Sequence, residues 1–360
     1  MKQTGSNNST GLGYFYLARG VGMVLILLGH SMTPFFSVAH ATGLFSGAGS
    51  VLGGGIMAMF FIISGFGFYC RSPRKCLSTQ YKLLLKPYFI TTAAILATKV
   101  LLALVKQRSF ATHGGDLVLT YLLGLNAEGG GSLWGIPVNS VSIMWFVLAL
   151  FGGWLLYNGI SRLESGKLRA LLIVMCVVAG WGLTVISKVW PWCLPMALLA
   201  VGYLAAGDEI RRRELLTRKL PLWCWALVWG VAACCAAWGR VNMVACRWDL
   251  GLMDVAGSFC AGFLLLRGYS ALMRKNWQGW PVRFLEAVGL YSLWIVFLHG
   301  YEKVIFPWYR LGHLFPENLV LCTILCLVLR GCVIYVLMQL VMWLRRKLRR
   351  KRIGAVKLTQ

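Results

Sequence analysis

Charge is scarce in this chain, and negative charge is scarcest. Only 13% of the 360 residues are Asp, Glu, Lys or Arg, where a soluble domain carries about a quarter. Eleven acidic residues face 36 basic ones, for a formal net charge of +25. With 58% hydrophobic residues and a mean hydropathy of +0.69, an ordinary soluble fold is excluded and an integral membrane protein is expected. Nor is nucleic acid the expected partner, because the basic residues sit in short clusters between apolar runs, as cytoplasmic loops do. Metal-ligand patterns are missing as well. The twelve cysteines include no Cys-x-x-Cys and no Cys/His ligand spacing, so they read as small buried hydrophobes. There is no Gly-x-Ser-x-Gly elbow, no His-Glu-x-x-His and no phosphate loop. A cleavable signal is not expected either, since the first fourteen residues are polar and the first apolar run is too long for one.

What the chain has instead is apolar length. Ten runs are long enough to cross a bilayer, at about 14–36, 51–70, 87–105, 143–160, 169–187, 191–207, 221–239, 250–268, 284–300 and 318–344. Sixteen Trp and thirteen Tyr suit a protein with two lipid–water interfaces. The piece DLVLTYLLGL, in the long connection 106–141, is too short to span and is expected to be re-entrant or interfacial. Ten crossings put both termini on one side. The segments on that side, Arg19 included, hold 27 Lys and Arg residues against eight on the other side with the third run included, a bias that puts both termini in the cytoplasm by expectation. The expected architecture is therefore all-α: a polytopic membrane protein with a single domain over residues 1–344 and a basic cytoplasmic tail over 345–360. No solenoid-period repeat and no matching inverted halves occur.

The first run carries Arg19 and His30. They are eleven residues apart, which is three helical turns, one shared face and roughly 16 Å. Ionisable groups on one stripe of a bilayer-embedded helix are costly unless they face a protein interior or a wet cavity, so both are functional candidates. A deep histidine can serve as general base or as a transient acyl carrier. The plainer alternative is a snorkelling arginine and a histidine bonded to a carbonyl. Other intramembrane groups stand out. Arg330 needs a partner, for which Asp254 and Glu286 are the expected counter-charges. Lys99 is expected to snorkel outward, and Arg240, Arg247 and Asp249 form an outer cluster where an acceptor could dock. Ser64 and Ser292, each with a glycine within three residues, point to close helix packing.

Four stretches in order resemble one family. They are Arg19 with His30-Ser31; FFIISGFGF over 60–68; Trp145-Phe146-Val147-Leu148; and Gly289-Leu-Tyr291-Ser292-Leu ahead of His299. The resemblance is to the integral-membrane acyltransferase-3 family, which moves acyl groups, usually acetyl, onto sugars and other acceptors. It implies acetyl-CoA as cytoplasmic donor, His30 as the catalytic residue with Arg19 assisting, and a basic first cytoplasmic loop (Arg71, Arg74, Lys75, Lys82, Lys86) near the CoA phosphates. It also implies His299, with Asp254, Trp145 and Tyr291, on the side of a carbohydrate or lipid-linked sugar acceptor. No metal is implied. One departure is visible: the family often has Arg-x-x-Arg before Pro-x-Tyr, and this chain has Lys82 and Lys86 before Pro87-Tyr88, without arginine's bidentate fork. The expected function is O-acetyl transfer to a cell-envelope molecule in the bacterial cytoplasmic membrane. The alternatives are a transporter or flippase for an envelope glycolipid, and a membrane partner without activity that acts through its tail.

Overall fold

The computed structural model describes residues 13–35, 44–107, 111–133, 135–274 and 279–357. The polar N-terminal stretch and the last three residues of the tail lie outside the described residues. Each of the ten apolar runs is helical. Among the described residues, eight helices are long and apolar enough to cross a membrane, or nine if one bent pair is a single span. The long helices are α1 (Gly13–Met32), α2 (Leu44–Phe66), α4 (Lys86–Val105), α6 (Trp145–Ile160), α7 (Gly166–Ile186), α8 (Leu194–Arg212), α10 (Leu252–Arg274) and α13 (Leu319–Lys357). The seventh expected run is α9 (Leu222–Trp238), an apolar helix of 17 residues that rises only about 26 Å.

Two features depart from a plain bundle of straight helices. First, the ninth run is broken into α11 (Trp280–Leu290) and α12 (Ser292–Ile305), bent by 74°. The cause is packing on both sides of the break. A Cβ on Gly289 would lie 1.8 Å from the Tyr16 carbonyl, and one on Gly20 would lie 1.9 Å from that of Leu285. That bare crossing ties α11 to α1, while α12 packs along α4 and α13. Second, the chain is mostly helical, as expected, but carries two short antiparallel hairpins that the all-α reading lacked, β1 (Asn126–Leu133) with β2 (Ile136–Ser140), and β3 (Val241–Asn242) with β4 (Arg247–Trp248). The Asn126 amide donates to the Val244 carbonyl and so joins the two hairpins.

The third run starts earlier than its apolar core, at α3 (Pro73–Gln80), and continues through a single π-helical turn at Tyr81–Leu85 into α4. The Lys86 N–H reaches back five residues to the Tyr81 carbonyl, and Pro87, which has no N–H to give, follows at once. The short apolar piece is α5 (Ala111–Leu122). It reaches inward: its Tyr121 carbonyl accepts from the Tyr88 hydroxyl at 2.6 Å, whereas α4 and α12 meet ten residues further along, where the Thr98 and Tyr301 hydroxyls are 2.9 Å apart. The centre of the molecule is α2, packed on α8, α9 and α10, with Phe61 and Ile62 fully buried against Phe146 and Tyr203. One side of this core is left open.

Candidate active site

The opening is a cavity of about 900 Å3 walled by α1, α2, α4, α6 and α12 and by the strands β2 and β3. His30, in the last turn of α1, and His299 of α12 face each other across it with ring centroids 5.3 Å apart. Arg19, Met23, Ile26 and His30 fall on one stripe of α1 by helical period, and the last three line the cavity. Arg19 lies below them, partly buried, with no hydrogen bond or ion pair to any described residue. The sequence expectation of one shared face therefore holds, with His30 inside the cavity and Arg19 short of it.

Behind the histidines is a network that α12 creates by spacing alone. His299, Glu302 and Lys303 stand at i, i+3 and i+4, so they share one helical flank. His299 Nδ1 is 2.5 Å from Glu302 Oε1, and both side chains are fully buried. Trp308 Nε1 donates to Glu302 Oε2 at 2.5 Å, and Arg330 Nη1 donates to Oε1 at 3.2 Å. The Arg330 guanidinium also sits over the Trp308 ring, 5.2 Å from its centroid. A buried carboxylate and guanidinium are tolerable only as such a bonded pair. With Glu302 accepting from Nδ1–H, His299 carries its lone pair on Nε2. That nitrogen is buried and has no partner among the described residues. Lys303 turns the other way and places Nζ 3.3 Å from His30 Nδ1.

Several expectations change here. The counter-charge of Arg330 is Glu302, not Asp254 or Glu286. Asp254 Oδ2 instead accepts from the Leu250 N–H at 2.8 Å, beneath the end of α9, and Asp254 does not line the cavity. Lys99 lines the cavity rather than turning outward, as does the buried Trp145. Tyr291 lies at the bend, 43% exposed and off the cavity wall. The Arg240–Arg247–Asp249 cluster is paired within its own hairpin: Asp249 binds Arg247 through two bonds of 2.8 and 3.0 Å and holds that guanidinium above its ordinary pKa. The neighbouring Val241, Asn242, Met243 and Val244 are the residues of that hairpin that meet the cavity.

The five basic residues of the first loop do not converge. The Arg71 backbone is tied to Asn158 at 2.9 and 3.0 Å, and Arg74 and Lys75 are exposed on α3. Lys82 and Lys86 turn onto a separate groove with Arg345 and Arg346. None of the five lines the cavity. Sequence reading missed Glu302 and Lys303, although a carboxylate three residues after a histidine in an apolar run was a readable signal. It also missed Asn139, Ser140 and Ser142, whose clue was the polar, turn-rich stretch before α6.

A family model described as an acyltransferase domain matches residues 12–353, the whole of the helical body and both sides of the cavity. The chain belongs to the acyltransferase-3 family. It is thus a membrane acyltransferase, with an array of apolar helices to match. No curated protein and no solved structure matches it. Within this acyltransferase, His30 and His299 are the two imidazoles that face each other on the cavity wall.

Proposed function

We propose that this acyltransferase moves an acetyl group from acetyl-CoA to a hydroxyl of a glycan, lipid-linked sugar or other cell-envelope acceptor, at the bacterial cytoplasmic membrane. The observation that carries the reading is the pair His30–His299 on a cavity of about 900 Å3, with His299 oriented by the buried Glu302. Only His30 is partly exposed, whereas His299 is fully buried down to Nε2. His30 is therefore the group that meets substrate, and His299 acts through it as a positioning residue. Lys303 is a donor, so its ammonium gives a hydrogen bond to Nδ1; the neutral His30 ring then carries its own hydrogen on Nε2 and the lone pair a base needs on Nδ1.

In direct transfer the acceptor hydroxyl attacks the thioester carbonyl and its proton passes to Nδ1 of His30 as the Lys303 ammonium gives that nitrogen up. The C–O bond of the ester forms, the C–S bond breaks, and His30 returns the proton to the departing thiolate of CoA. In the two-step form a His30 ring nitrogen attacks the thioester carbonyl, the C–S bond breaks and CoA leaves as its thiolate; the acceptor hydroxyl then attacks the acetyl carbon, the N–C bond breaks, and the hydroxyl proton passes to the freed ring nitrogen. In both, positive charge builds on the His30 ring, and the Glu302 carboxylate behind His299 offsets it. Arg19, roughly 16 Å away by helical rise, cannot touch the same reacting atom. Its place is on the donor, which enters from the end of the molecule where Arg71, Arg74 and Lys75 lie.

The deciding measurement is transfer of labelled acetyl from acetyl-CoA in membranes that hold wild type, His30→Ala or His299→Gln at matched levels, with envelope extract as acceptor. Label incorporated by wild type and lost with His30→Ala supports the assignment, and the labelled product identifies the acceptor. Equal labelling by wild type and His30→Ala overturns it. Acetyl retained on the protein after rapid acid quench, and absent from His30→Ala, selects the two-step form.

A further inference from the structure

A second opening, about 1080 Å3, lies between α4, α12 and α13, on the other side of α12 from the histidines. Its chemistry is split. One set of lining residues is Lys82, Lys86, Arg345 and Arg346, four cations with no carboxylate among the lining residues. Arg345 is held in place over the Trp294 ring, 4.5 Å from its centroid. The rest of the wall is apolar, including Leu83, Ile90, Phe297 and Leu344, and its uncharged polar side-chain groups are the Thr91 hydroxyl and the Trp294 indole N–H. Ile90, Leu83 and Leu344 are 60%, 50% and 43% exposed, on helices that span the membrane, so the groove opens toward lipid.

We propose that this groove binds an anionic phospholipid, its phosphate among the four cations and an acyl chain along the wall of α4 and α13. Basic pockets between membrane helices recognise acidic headgroups through charge. The wall decides the rest of the ligand. The arm of coenzyme A carries two amides, which would lie against hydrocarbon side chains with almost nothing to bond to, an unfavourable burial. A hydrocarbon chain has no such need. Arg345 and Arg346 make the basic stretch after α13's apolar core part of this site rather than a loose tail, and the lipid would fasten α13 to α4 and α12 just below the Glu302–Arg330 pair.

The test uses the full chain, purified in neutral detergent and titrated with phosphatidylglycerol or phosphatidylcholine under native mass spectrometry. Wild type should hold phosphatidylglycerol at least about tenfold more tightly, given roughly 1 kcal/mol per basic residue near an acidic headgroup. A variant with Lys82→Gln, Lys86→Gln, Arg345→Gln and Arg346→Gln should bind the two lipids alike. Equal binding of the two lipids by wild type, or a preference that survives in the variant, overturns the proposal. A third arm needs no variant: coenzyme A added to the phosphatidylglycerol complex should leave the adduct in place. Its displacement by coenzyme A would assign the cations to the donor's phosphates and also overturn the lipid.

Discussion

Glu302 carries two jobs, and single substitutions confuse them. It orients His299, and it neutralises Arg330, which is 2% exposed. Glu302→Gln should lower acetyl transfer by about two orders of magnitude or more, as loss of an orienting carboxylate does elsewhere. It should also destabilise the fold by about 3–5 kcal/mol, because it leaves Arg330 buried and uncompensated. Arg330→Met combined with Glu302→Gln removes both charges. We expect that double variant to recover most of the melting temperature in detergent while transfer stays lost. Recovery of both would mean that Glu302 is only a counter-ion. Among the thiols, burial separates Cys246 from Cys70. Cys246 is buried in the β3–β4 hairpin and its thiol is pushed up to about 11, so at pH 8 only about one molecule in a thousand is thiolate. Cys70 is exposed. A charged maleimide should modify Cys70 within the time that leaves Cys246 intact, which peptide mass spectrometry reads directly.

Helix identity was legible because apolar length and period are local. Arg19 and His30 on one stripe needed only 100° per residue, and the close crossings were foreshadowed by the glycines in FFIISGFGF and Gly289-Leu-Tyr-Ser. What escaped was set by contacts between distant segments. Glu302 next to Lys303 reads as a locally neutral pair, yet the helix sends one toward Arg330 and the other toward His30. The bend at Tyr291 depends on α1, some 270 residues earlier in the chain. The β1–β2 hairpin has a polar, glycine-rich strand that no alternation marks. The crossing of α1 and α11 gives an element-scale prediction. Gly289→Ala forces a methyl into the Tyr16 carbonyl, so α11 must shift, with an expected loss of about 1–3 kcal/mol or more. Gly182→Ala on α7, where nothing lies within 4 Å of the added methyl, should be neutral or slightly stabilising. Thermal unfolding of the two variants side by side checks it. Equal melting temperatures would mean that the crossing is loose.

At the scale of the whole molecule, the basic connections meet at one end although they are far apart in sequence. Arg162 reaches the Arg71 carbonyl, Arg211 reaches that of Phe68, and Arg267 reaches those of Leu215 and Arg218. The residues Asn242 and Val244 of the β3–β4 hairpin, by contrast, line the cavity that holds His30. With the basic end in the cytoplasm, as we propose from the positive-inside bias, the cavity would be the place where the proposed donor from that side and the proposed acceptor from the other side meet. This predicts opposite labelling at two exposed positions. In a background without Cys70, Arg247→Cys should react with a membrane-impermeant maleimide in intact spheroplasts. Lys167→Cys, in the connection between α6 and α7, should react only after the membrane is opened. The reverse pattern would put the cavity's hairpin wall in the cytoplasm, and the donor and acceptor would then have to exchange sides. Labelling of both positions from outside would break the even crossing number itself, and α9, an apolar helix of only 17 residues that stands apart from the eight long ones, would be the first candidate for a segment that does not cross.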